Sequence, residues 1–192
     1  MAFDGKFGTG TGRFSYDDNL TQEVAKEIFA RFGLAIHVSN VLETSLLNYA
    51  FFAETFPKIG SFKDQAEWEA HYDRFFDWGY AQTFGNLIKH VEKKALLQGE
   101  DIELLRACKM ARDNLVHHFM RDGAGLIYSP VGRSRMVEEC HNATLLFEVA
   151  EKDLSAHIDA AMNKAGVDVE QWNRKVSDQM DALIQSGCPL DD

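Results

Sequence analysis

Apolar residues recur at steps of three and four along most of the chain. Val24, Ile28, Phe32, Ala35, Leu42, Leu46, Ala50 and Ala53 follow such steps between Asn19 and Pro57, which is the spacing of one buried helical stripe. Asn19 followed by Gln22 is a helix-start pattern. Pro57 closes the segment, and Gly33 is expected to weaken or bend it. Ser61 and Asp64 open a second helical region, interrupted near Gly79 and Gly85, resumed through FGNLIKHVEKKALL and ended by Gly99. A further helix is expected from about Asp101 to Arg121, capped by Gly123 and Gly125. Beyond the loop GLIYSPVGRS, helices are expected from about Ser134 to Lys164 and from about Asp168 to Gln185. No segment alternates at period two, and no internal repeat is visible. The pattern predicts an all-α protein, an up-and-down bundle of five or six helices. It forms one domain over 19–186, between a flexible glycine-rich arm (1–18) and a short tail (187–192).

Composition leaves this picture intact. At 192 residues with 45% hydrophobic and 26% charged, the chain suits one soluble domain with a substantial core. MAFDGKFGTG has no apolar run, so no secretory leader is expected. No stretch approaches the roughly 18–20 apolar residues of a membrane span, and a soluble cytoplasmic protein with no membrane partner is the expectation. Cys108, Cys140 and Cys188 are odd in number and widely spaced, matching neither a disulfide framework nor a zinc ribbon. The net charge of −10 argues against a general nucleic-acid coat protein. It is unevenly spread: Lys89 to Arg135 holds nine basic and six acidic residues, and the remainder eleven and twenty-four.

Few stretches offer chemistry. The arm GKFGTGTGRFSYDD lacks the Gly-Lys-Ser/Thr of a phosphate loop, because Lys6 precedes Phe7. Glu138 and His141 form a lone Glu-x-x-His pair where a di-iron bundle needs two. No metal or cofactor is therefore expected. Cys108 shares a stripe with Leu104, Ala111, Leu115 and Phe119 and reads as a small core residue rather than a nucleophile.

The basic stretch contains RDNLVHHF, from Arg112 to Phe119. Asp113 and His117 are helical neighbours, and a carboxylate beside an imidazole fixes its tautomer. Arg112 sits at the margin of the core side, about 140° from His117 on an ideal helix. Leu105, Val116, Met120 and Asp113 form a semi-apolar flank between them. If that flank packs on a second subunit, Arg112 and His117 from two chains converge in one cleft. An exposed His–Asp pair beside an arginine that snorkels from the core edge has the same spacing. On the first helix Glu43 falls within the apolar stripe near Ile36, Leu47 and Ala50, where a buried carboxylate needs a partner. Arg112 is the candidate, unless helix rotation leaves Glu43 at the rim.

Arg112-Asp113-Asn114-Leu115-Val116-His117 resembles the Arg, polar, any three, His signature of the HEPN superfamily of α-helical proteins. His118-Phe119 is similar to the continuation seen in uncharacterised bacterial HEPN-like proteins, as are Phe84-Gly85-Asn86-Leu87-Ile88 and Ser129-Pro130 with Gly132-Arg133 and Met136. The similarity spans roughly Asn19 to Lys164. It implies a helical bundle that forms a homodimer through the motif region. It also implies a metal-independent endoribonuclease of toxin–antitoxin, phage-defence or RNA-processing type, with RNA as substrate and a cognate antitoxin or neighbouring-gene partner. On that resemblance His117 is the general base or acid, Arg112 the phosphate-stabilising cation and Asp113 the residue orienting His117. Asn114, His118 and Arg121 are substrate contacts, and Glu43 is the structural support of Arg112. Other members of the superfamily are non-catalytic dimerisation, nucleotide-binding or protein-interaction modules, and the motif alone does not choose between these classes.

Overall fold

A computed structural model describes residues 20–186; the glycine-rich arm and the tail lie outside the described residues. The chain is an all-α bundle. The helices are α1 (Leu20–Thr55), α2 (Gln65–Tyr80), α3 (Phe84–Lys93), α4 (Glu100–Asn114), α5 (Pro130–Lys164) and α6 (Val169–Ser186). A π-helical segment, Leu115–Phe119, and one α-turn, Met120–Asp122, extend α4. Short 3-10 turns follow α1 at Phe56–Ser61 and precede α5 at Leu126–Tyr128.

α1, about 54 Å long at 1.5 Å per residue, is the central post, packed along α5 and touched by α2, α3 and α4. This explains its core pattern. Ile28, Ala35, Leu42, Leu46 and Ala50 are buried as the stripe predicts, and Leu47, Tyr49 and Phe51 are buried as well. A single stripe describes a helix with one neighbour, whereas α1 has neighbours on more than one side. Phe51 sits inside a ring of Phe52, Trp68, His71, Tyr72, Phe75 and Phe76. α4 runs antiparallel to α5, since Asp101 meets His157, Cys108 meets Leu146 and Asn114 meets Glu139.

Local signals account for the ends. The Asp64 carboxylate accepts from the Glu67 amide at 2.9 Å, and Glu67 accepts from the Lys63 amide at 2.8 Å; together they close the first turn of α2. Thr83 caps α3 in the same way. Gly166, at φ +79°, terminates α5, with the Val167 amide donating to the Met162 carbonyl.

Three expectations need correction. α5 begins at Pro130 rather than near Ser134, because Ser129 accepts from the Gly132 amide at 3.0 Å and Pro130 takes the first turn, where no N–H is needed. α3 ends at Lys93, and Gly99 (φ +57°) leads into α4 instead of closing α3. Gly123 and Gly125 keep right-handed backbone and are not left-handed caps. Gly123 serves for closeness, since a Cβ there would lie 2.8 Å from Met136 Cε.

Gly33 neither breaks nor ends α1, and nothing lies within 4 Å of the Cβ it lacks. Gly33→Ala is therefore expected to stabilise the fold by about 0.5–1 kcal/mol through lower unfolded-state entropy. The measurement is the urea midpoint, which rises; a fall would show that α1 needs glycine there. Among the described residues no helix is long and apolar enough to cross a membrane.

Candidate active site

α4 carries the motif. Arg112 and Glu43 face each other across the α1–α4 contact, the Arg112 Nη2 to Glu43 Oε2 distance being 3.8 Å, with side chains 30% and 23% exposed. Burial pushes the Glu43 carboxyl above the usual carboxylate range, and the Arg112 charge opposes that rise. Arg112 also approaches Asp113 at 3.7 Å.

Asp113 is engaged elsewhere than the His–Asp spacing suggests. The Lys109 ammonium donates to Asp113 Oδ2, and this bond holds the Asp113 carboxyl below its usual range, with the charges of Arg112 and His117 acting in the same direction. No hydrogen bond joins Asp113 to His117 among the described residues. Lys109 was not among the expected site residues. Its signals are the four-residue spacing to Asp113 and Gly85, where a Cβ would come within 2.8 Å of the Lys109 stem.

The π-helical segment coincides with LVHHF. Leu115 and Phe119 turn inward, and Phe119 stacks on Phe32 at 5.5 Å. Val116, His117 and His118 are exposed. In this wider turn the 100° steps of an α-helix no longer apply, so the separation of Arg112 and His117 expected for an ideal helix does not carry over. His117 makes no hydrogen bond among the described residues. His118 Nδ1 lies 2.6 Å from Arg121 Nη2; a guanidinium only donates, so Nδ1 accepts and the proton of neutral His118 sits on Nε2. Asp122 holds Arg121 at 2.9 Å. The Asn114 amide donates to Glu139 Oε1 at 2.6 Å.

The semi-apolar flank expected to face a second subunit is largely used within the chain. Leu105 is buried and Met120 packs on the core, because α4 and its extension contact α1, α3 and α5. Of the flank's apolar side chains, Val116 stays exposed. Beside Glu43 a cleft of about 230 Å³ opens between α1 and the α2–α3 connection, walled by Asn40, Thr44, Tyr80 and Gln82.

Cys108 and Cys140 are fully buried, and burial pushes their thiols to about 12 and about 11. Both are expected to resist alkylation in the folded protein at pH 8 and to label only on unfolding. Peptide mapping after iodoacetamide treatment checks this, and labelling of Cys108 in the folded state would contradict it.

Among the described residues no group of three His, Cys, Asp or Glu side chains is arranged to hold a metal ion. Comparison of the chain with models of protein families, with curated proteins and with solved structures finds no match in any of the three.

Proposed function

We propose that the chain is a metal-independent endoribonuclease of HEPN type, acting as a homodimer across the motif face. The observation that carries this reading is the π-helical segment over LVHHF, the second half of the motif, which follows directly on the α-helical Arg112-Asp113-Asn114. Such segments are rare and recur at functional sites. Here the segment leaves His117 exposed and without a hydrogen bond among the described residues, while Arg112 is held half-buried against Glu43.

The chemistry asks little more. His117 removes the proton of a ribose 2′-OH, and the 2′-oxygen attacks the adjacent phosphorus. Arg112 neutralises the charge gathering on the phosphoryl oxygens. The P–O5′ bond breaks, and the leaving oxygen takes a proton from an imidazolium, that of the second copy in a shared cleft. The products are a 2′,3′-cyclic phosphate and a 5′-hydroxyl. Arg112 and Lys109 lie in the Lys89–Arg135 stretch, whose nine basic and six acidic residues give a basic surplus in an otherwise acidic chain.

The test is incubation of the full chain with single-stranded RNA in EDTA, with the 3′ ends of any fragments analysed. Cyclic phosphate ends that disappear in His117→Ala support the proposal. Intact RNA under all conditions sinks it and leaves a non-catalytic bundle.

A further inference from the structure

A second cluster of polar groups lies about 16 Å further along α1 from Glu43, in a cleft of about 290 Å³ between α1, α2 and α3. Glu54, His71, Arg74, Phe75, Trp78 and His90 line it. Glu54, the acid in its wall, is already engaged. It meets His90 Nε2 at 2.5 Å and Lys94 Nζ at 3.4 Å, and is only 17% exposed. The His90 ring lies against Trp78, with centroids 4.6 Å apart. His71 Nε2 bonds the buried Thr55 hydroxyl at 3.1 Å, which fixes that ring and leaves its Nδ1 without a hydrogen-bond partner. Arg74 forms no hydrogen bond or ion pair among the described residues.

The cleft thus combines an uncommitted guanidinium fork, the positioned His71 imidazole and the part-exposed Trp78 indole, while its carboxylate is spent on His90 and Lys94. A guanidinium fork matches the paired oxygens of a phosphate or carboxylate, and an indole face matches a planar ring. We propose that this cleft binds a small organic oxyanion carried on a planar ring, with the anion on Arg74 and His71 and the ring against Trp78. The site is independent of the motif on α4.

Calorimetric titration of the full chain with phenyl phosphate, benzoate and inorganic phosphate tests it. Saturable binding of phenyl phosphate or benzoate is expected, and the better of the two identifies the anion as phosphate or carboxylate. Arg74→Ala should weaken that binding by about tenfold or more. Trp78→Ala should reduce it to the level of inorganic phosphate. Both side chains are exposed enough to be replaced without unfolding the bundle, which circular dichroism verifies. No saturable heat with either ring-bearing anion overturns the proposal. So does equal affinity for inorganic phosphate, or unchanged binding in either variant.

Discussion

Gly132→Ala is expected to lower the unfolding free energy by about 3 kcal/mol, at the upper end for overpacking. A Cβ at this position would lie 2.3 Å from the Leu126 carbonyl oxygen and 2.7 Å from its Cα. Both are backbone atoms, so no change of rotamer relieves the clash. The opposing segment is pinned as well: the Leu126 amide donates to the Gly123 carbonyl at 2.8 Å, and the Arg133 guanidinium donates to the Ile127 carbonyl at 3.1 Å. Either the 3-10 turn or the start of α5 must move. Urea denaturation should show the lower midpoint with an unchanged slope. An unaltered midpoint would mean that the turn yields freely.

The other large effect is on activity. His117→Ala should reduce RNA cleavage by about 10²–10⁴-fold, the usual contribution of a positioned acid or base. Stability should stay within about 0.5 kcal/mol, since an exposed ring without hydrogen bonds is removed. Arg112→Ala should reduce cleavage by about 10²–10³-fold, and it has a second consequence that separates the roles. Without Arg112, Glu43 loses the cation that opposes its burial, and its carboxyl rises further. A carboxyl raised in the folded state favours the protonated fold. The added cost of the variant is therefore small below the unfolded value of about 4.3 and grows as pH rises through the window above it. Arg112→Ala should thus be destabilised by about 1–2 kcal/mol at pH 7 and less at pH 4. Adding Glu43→Gln should restore stability without restoring cleavage. If the double variant cleaves RNA, Arg112 serves the fold and not the reaction.

The pattern of apolar spacing locates most helices to within a few residues because each buries a periodic face. It fails where hydrogen bonds rather than burial set the boundary. Ser129 and Pro130 start α5 several residues before its first buried apolar side chain, Met136. The approach of Glu43 to Arg112 follows from a single argument, that a carboxylate in an apolar stripe needs a cation, and the two lie 3.8 Å apart. Spacing does not choose the hydrogen-bond partner of Asp113, because His117 and Lys109 both stand four residues away; Lys109 makes the bond and His117 acts on the carboxylate only through its charge. The longer lysine side chain takes the carboxylate, and His117, in the π-turn, stays exposed. The apolar spacing around Leu115 and Phe119 fits an ordinary helix, so it gives no sign of the π-turn between them.

That turn lodges one surplus residue in the helix. Side chains before Leu115 and after Phe119 therefore keep two phases about one axis, offset by about 100°. Cys108 meets Leu146 in the first phase, and Gly123 meets Met136 in the second. The two histidines occupy the joint at which the rod is re-aimed, so that both of its halves can serve the same neighbouring helix.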